Sequence, residues 1–223
     1  MRAIPHGVYS AIFGVVYLGL MTNALLVVGC LPLIALLVTT DPAYSWPLIV
    51  VAIPLCAPSL SATFAVFGGN AQGDPSVLRL FLRAWRLNWR PSMLLGSLVA
   101  VALTVLLVDV RFFAGGQAGV VIIPVLAVLT ALSLALGAVG LVAIAEEPRA
   151  RLRTVVTVSL YFLARRWYLT AVSLAVLIAQ AVLFSSIPAI ALGVTATPAL
   201  YLVWANSRYS LRPAIDTESA AVA

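Results

Sequence analysis

The sequence predicts an all-α fold: a polytopic membrane helix bundle of about six transmembrane helices, with two amphipathic helices on the cytoplasmic side. Three observations predict it. Hydrophobic residues make up 63 % of the 223-residue chain and charged residues 9 %, against about 45–50 % and about 25 % in soluble domains. Residues 3–40, 42–73, 91–108, 112–145 and 167–207 contain no Asp, Glu, Lys or Arg, and about 20 apolar residues suffice to cross a bilayer as a helix. The arginines fall almost entirely between alternate runs. The chain reads as one membrane domain over 1–223, because the tails 1–6 and 209–223 are too short to hold a core of their own.

Each run is then assigned in order. The first is read as one tilted span over about residues 9–36, bent or ended near Pro32, followed by an irregular segment to Asp41-Pro42. It exceeds the roughly 7–15 apolar residues of a signal peptide and is expected to remain as an anchor. The second span covers about 46–68. Asp74-Pro75 then reads as a helix start, Asp capping free N–H groups and Pro occupying the first helical position. An interfacial helix over about 75–90 leads into a third span over about 92–109, and Gly115-Gly116-Gln117 reads as a loop before a fourth over about 119–145. A second interfacial helix is expected over about 149–165. The run 167–207 would be about 60 Å long as a single helix. It therefore divides at Ser185-Ser186-Ile187-Pro188 into spans over about 167–185 and 188–206.

Charge sets the expected orientation. There is no lysine, and 12 of the 13 arginines fall on one side of this topology, with Arg111 alone on the other. The positive-inside rule places both termini in the cytoplasm, and the heavy use of Ala, Val, Leu and Arg without Lys suggests a bacterial gene and so a bacterial inner membrane. Because the arginines flank spans, the expected surface partner is a bilayer with anionic headgroups, and no nucleic acid.

Arg79, Arg83, Arg86 and Arg90 recur at spacings of 4, 3 and 4. On a helix they fall within an arc of about 60° at 100° per residue. Headgroup anchoring accounts for such a stripe; docking to an acidic partner surface is the functional alternative. Asn88 projects opposite and is expected to face the bundle. A shift of 78 residues lays the second span on the fourth, each followed by a basic amphipathic helix and a returning span. The copies are parallel, an arrangement some transporters share.

Other chemistry is scarce. One histidine, His6, and two isolated cysteines, Cys30 and Cys56, make no metal-ligand cluster. The cysteines read as buried apolar thiols, with a disulfide between the first two spans as the alternative. No phosphate loop or dinucleotide fingerprint occurs, so no cofactor, metal or catalytic residue is expected. Glu146-Glu147 is read as ending the fourth span and pairing with Arg149, Arg151 or Arg153, and Gly68-Gly69 as turn glycines. The spans hold no ionisable residue away from their ends, although ion-coupled transport usually needs one. Their deep polar groups are Asn23, Gln180 and hydroxyls including Thr195 and Thr197. Ser133, Gly137 and Gly140 lie at helical spacing and are read as a close-packing face. Pro198 is read as a kink.

Three segments carry a family resemblance: Asn23 through Leu31-Pro32, Pro58-Ser59-Leu60-Ser61-Ala62-Thr63, and Phe81-Leu82-Arg83-Ala84-Trp85-Arg86-Leu87-Asn88-Trp89-Arg90. On these the chain resembles the YesL-like family of bacterial membrane proteins, a domain of unknown function, over about residues 7–208. The resemblance implies a six-span inner-membrane protein, accessory to carbohydrate uptake or utilisation, with sugar-transporter subunits as candidate partners. It brings no established activity. The expectation is therefore a non-enzymatic accessory protein, with a small-solute permease using Asn23 and Gln180 as the alternative.

Overall fold

The computed structural model describes residues 6–148 and 152–222. Among them every regular element is helical: α1 (His6–Gly29), α2 (Leu31–Thr39), α3 (Pro42–Ala71), α4 (Val77–Phe113), α5 (Gly119–Glu146), α6 (Leu152–Arg165), α7 (Trp167–Ser186), α8 (Pro188–Ile190), a π-helical turn (Ala191–Thr195) and α9 (Ala196–Val222). Five helices are long and apolar enough to cross a bilayer, and the broken pair α1–α2 brings the number to as many as six. The chain is an all-α bundle of the multi-pass membrane type.

The first apolar run differs from the single span expected over 9–36. It breaks at Cys30, and α2 leaves α1 at 75°. Pro32 is the cause: it has no N–H for the carbonyl four residues back, and its ring clashes there. It is tolerated in the first turn of a new helix. The segment beyond is helical rather than irregular, and ends where the Thr39 and Thr40 hydroxyls donate to the carbonyls of Ala35 and Leu36, both at 2.6 Å.

The interfacial helix expected over 75–90 and the span expected over 92–109 are two halves of one 37-residue helix, α4, with Pro91 inside it. Packing on α3 overrides the local cost of the proline. Gly69 lies under Leu80, Asn88 meets Ser61, and Gly96 lies against Pro54 and Ala57. The two helices are therefore antiparallel neighbours through both halves of α4. Gly68 and Gly69 lie inside α3; the turn glycine is Gly73, at φ +92°. Asp74 does not cap α4 either. Its carboxylate accepts from the N–H of Ser76, at 2.9 Å, and from the Ser76 hydroxyl, and α4 begins at Val77.

Glycines also seat α5 on α4: Gly140 lies against Leu95 and Gly137 against Val99. Ser133, expected in the same face, is half-buried and donates to the Leu129 carbonyl at 2.9 Å. Where the first span–helix–span unit is continuous through α4, the second is interrupted at Arg166 between α6 and α7. The two units share an order and not a geometry. The α7–α9 hairpin is antiparallel, Asn206 donating to Ser173 at 3.3 Å and Arg166 to the Tyr209 carbonyl at 3.0 Å. The pairing of α1 with α9 is antiparallel too, through Gly19–Thr197 and Asn23–Gly193. The start of α1 and the far end of α9 thus point to the same side of the bundle.

The core lies among α3, α4, α5 and α9, around Phe64, Phe67, Leu95, Val142, Val203 and Trp204. Phe67 meets the rings of Tyr201 and Trp204 edge-on, at 5.4 and 6.0 Å. By contrast α2 and α7 bury none of their residues. Apolar helices with no buried face are suited to hydrocarbon rather than water.

Candidate functional site

Asn23, Gln180, Thr195 and Thr197, the polar side chains singled out in the apolar runs, converge on the π turn. Pro198 follows it, and lacks the N–H that would satisfy the carbonyl of Val194. The irregular turn is braced from two sides. From α1, Asn23 Nδ2 donates to the Gly193 carbonyl at 2.8 Å, while its Oδ1 accepts from the Thr197 N–H at 2.9 Å and the Thr197 hydroxyl at 2.6 Å. One carboxamide thereby bridges two main-chain groups four residues apart, the groups that a regular helical turn joins directly. From α7, Gln180 Nε2 donates to the Ala191 carbonyl at 2.8 Å, and its Oε1 accepts from the Thr195 hydroxyl at 2.9 Å. Asn23 is 3 % exposed. Both side-chain amides are occupied at both ends by the protein itself.

A cleft of about 740 Å³ opens beside this brace, between α1 and α9. Its walls are apolar, Val15, Leu20, Val194 and Leu202 among them, with Asn70 and Tyr201 at one end. A second cavity of about 290 Å³, lined by Leu60, Phe64, Gly96, Gly137 and Leu200, lies within the core. Neither is lined by an ionisable carboxylate, amine or guanidinium.

The three segments that carry the family resemblance meet in one place. A Cβ on Gly29 of α1 would collide with the Ser59 side chain of α3 and come within 4.0 Å of the Phe81 ring of α4. Nearby Asn88 donates through Nδ2 to the Ser61 hydroxyl at 3.3 Å. Asn88 Oδ1, Ser59 Oγ and Ser92 Oγ are buried without a protein partner. A buried polar atom left unpaired costs on the order of 1–3 kcal/mol, so this seam is held by the packing around it.

Arg79, Arg83, Arg86 and Arg90 are all exposed on the N-terminal half of α4, opposite a buried face of Val77, Phe81, Ala84 and Asn88. The Arg90 guanidinium stacks on Trp89 at 5.1 Å, and Asp74 lies in the field of Arg79. Arg83 and Arg86 form no ion pair among the described residues. Beside the arginines, Leu78, Leu82, Trp85 and Trp89 form an exposed apolar stripe, each between 42 % and 44 % accessible. Every arginine is thus preceded by an apolar member of this stripe.

Glu146 takes a partner the sequence did not point to. Its carboxylate pairs with Arg208 of α9 at 3.5 Å and accepts from Trp204 Nε1 at 3.1 Å. Arg149 and Arg151 lie outside the described residues. Cys30 and Cys56 are both free and buried. No group of three or more metal-ligating side chains occurs among the described residues. The signal that reading missed is the partner of each polar residue: Thr195 and Thr197 stand in the sequence as deep hydroxyls, but no spacing rule joins them to Gln180 and Asn23 across more than a helix.

No curated protein and no solved structure matches the chain. Residues 19–110, from α1 to near the end of α4, match the model of a family described as Protein of unknown function, DUF624.

Proposed function

We propose that this chain is a non-enzymatic accessory protein of a bacterial cytoplasmic membrane, with both termini cytoplasmic, that docks an acidic partner surface through Arg79, Arg83, Arg86 and Arg90. The observation that carries the reading is the exposed arginine strip on the N-terminal half of α4, in which Arg83 and Arg86 have no ion pair among the described residues. A cationic strip beside an exposed Trp/Leu stripe has the elements of a partner-recognition face, aromatic and arginine anchors together. The assignment of that partner to a carbohydrate transport or utilisation system, and so to sugar-transporter subunits, rests on the resemblance to YesL-like proteins alone. Anionic headgroups engage the same arginines where the strip meets the bilayer.

The alternative, a small-solute permease working through Asn23 and Gln180, is disfavoured by how those side chains are used. Each carboxamide bonds the π turn through both its nitrogen and its oxygen, so a solute that took over those bonds would undo the brace. The test is affinity purification of the full chain from its native membrane in mild detergent, with mass spectrometry of what stays bound. Transporter subunits that co-purify with the wild type and are lost from Arg83→Glu/Arg86→Glu are the expected result. A homomeric preparation, unchanged by that charge reversal, refutes the docking reading.

A further inference from the structure

Glycines inside helices weaken them, and a helix keeps one where a neighbour comes too close for a side chain. Most helical glycines here obey that rule. Gly69, Gly96, Gly137 and Gly140 each have a neighbouring side chain or main chain within 3.2 Å of the position a Cβ would take. Gly19 and Gly193 do not: a Cβ at either would meet nothing within 4 Å. Both line the cleft between α1 and α9. Gly14, further along α1, is open as well but lies off the cleft. Gly19 and Gly193 therefore widen a space that no part of the described chain fills. Asn23 holds it open from below, because its bridge to Gly193 and Thr197 fixes the wall that carries Gly193.

The chemistry of the space selects its occupant. Its volume of about 740 Å³ falls within the roughly 300–1,000 Å³ of ordinary ligand sites. Its walls are mostly apolar; the neutral-polar side chains on them are Asn23 and Thr197, which bond each other, and Asn70 and Tyr201 at one end. Both flanking helices belong to apolar runs of membrane-span character, so a hydrocarbon chain is the species that faces the opening. Beyond the polar end the surface turns cationic. Tyr201 and Leu202 line the cleft, and one heptad further along α9 the same two faces carry Arg208 and Tyr209. The Arg166 guanidinium of α7 stacks on the Tyr209 ring at 4.7 Å and donates to its carbonyl at 3.0 Å. Arg208 is 3.5 Å from Glu146, and of these two guanidiniums Arg166 has no carboxylate partner among the described residues.

We infer that the α1–α9 cleft is a binding site for one anionic phospholipid, with an acyl chain lying over Gly19 and Gly193 and the phosphate turned toward Arg166 and Arg208. This inference does not rest on the docking reading of α4, and the two use different faces of the bundle.

The test uses the purified, delipidated full chain in mild detergent, with native mass spectrometry as the readout. The probes are phosphatidylglycerol and phosphatidylcholine with the same acyl chains. The wild type is expected to retain one phosphatidylglycerol per chain and to hold it about tenfold more strongly than phosphatidylcholine. Gly19→Leu, whose Cβ meets nothing within 4 Å and whose side chain enters the cleft, should lower binding of both lipids at least tenfold. Leu202→Trp, which fills it from the opposite wall, should do the same and stands in if Gly19→Leu does not fold. Arg166→Gln should remove the preference for phosphatidylglycerol and leave phosphatidylcholine binding unchanged. Filled variants that retain lipid as the wild type does would mean annular lipid only and would overturn the proposal. Equal binding of the two lipids by the wild type would overturn the placement of the phosphate.

Discussion

Replacing Asn23 by Leu keeps the volume and removes the brace, which makes it the cleanest probe of the π turn. Three hydrogen bonds are lost, at 2.8, 2.9 and 2.6 Å. The Thr197 hydroxyl is the least affected, since the Gly19 carbonyl at 3.1 Å remains as an acceptor. The main-chain groups decide the magnitude. Interhelical hydrogen bonds in membranes average only about 0.6 kcal/mol, because the side chains find other partners in the reference state. A buried orphaned group costs about 1–3 kcal/mol. Here the partners are a main-chain N–H and a main-chain carbonyl on an irregular turn. They recover only if the turn tightens into a regular helix, which the proline at 198 opposes. Two partly recovered groups give an expected destabilisation of about 2–4 kcal/mol, larger than a typical interhelical bond. Thr197→Val removes the hydroxyl contact and leaves the amide bridge, so it should cost about 1 kcal/mol. The assay is reversible unfolding of the full chain in mixed micelles, followed by circular dichroism. An Asn23→Leu protein within about 0.5 kcal/mol of the wild type would refute the claim that this carboxamide holds the turn.

Three further outcomes follow from local geometry. A Cβ at Gly96 would lie 2.8 Å from the Ala57 Cβ and 3.1 Å from the Pro54 Cα. Main chain cannot swing aside, so Gly96→Val should cost at least the ~1–3 kcal/mol of an overpacked core, and thermal unfolding in detergent will show it. The Ser76 hydroxyl and N–H hold the Asp74 carboxyl below the usual carboxylate range, with the charge of Arg79 adding to the effect. Because the folded value is depressed, whatever stability the contact contributes is present above the unfolded value of about 3.9. It is lost as pH falls through the folded one. Ser76→Ala should move the Asp74 titration upward, toward its ordinary value, when read by carboxyl NMR, and an unmoved titration would contradict the assigned cause. Cys30 and Cys56 are buried, so N-ethylmaleimide should label them slowly in the native protein and fast after denaturation. Fast native labelling would show that the α1–α2 break is open to solvent.

How much was legible before the structure depends on the range of the interaction concerned. Hydropathy runs and prolines act within a few residues, so the break at Pro188, the Gly115–Gln117 loop and the all-helical class could be read directly. Pro32 and Pro91 show the limit of that reading. Both are helix-breaking in isolation, yet only Pro32 coincides with a break, because α4 is packed against α3 on both sides of Pro91 while α2 buries nothing. The same limit applies to the polar residues. Asn23 and Gln180 stand out as polar residues in apolar runs, and Asn88 as the uncharged polar residue opposite the arginines. Their partners lie on other helices, at sequence separations of 170 for Asn23–Gly193 and 27 for Asn88–Ser61. Composition can flag an unpaired amide but not the turn it satisfies. Glu146 has a long-range partner of the same kind: the fold supplies Arg208, sixty-two positions away, which no local spacing indicates.

The continuity of α4 bears on what its arginines can do. An interfacial anchor lies in the plane of the membrane, so that its whole apolar stripe reaches the headgroup boundary. The N-terminal half of α4 instead follows α3, from Leu80 at Gly69 to Gly96 at Ala57. Arg79 to Arg90 then spans about 16 Å along the helix axis at 1.5 Å per residue. The polar layer on each side of a bilayer is only about 5–7 Å deep, the difference between a total of about 40–45 Å and a core of about 30 Å. In an orientation with α4 near the membrane normal, headgroups would engage roughly half of the strip at once. The Leu78, Leu82, Trp85 and Trp89 stripe runs beside the arginines for the same distance, which places part of it outside the depth where lipid could cover it. A cationic strip and an apolar stripe that outrun the headgroup layer together are better matched to a protein surface that carries acidic and apolar groups in the same register. That match is the physical reason for preferring a docked partner over a simple anchor, and charge reversal at Arg83 and Arg86, near the middle of the strip, is where the two differ most.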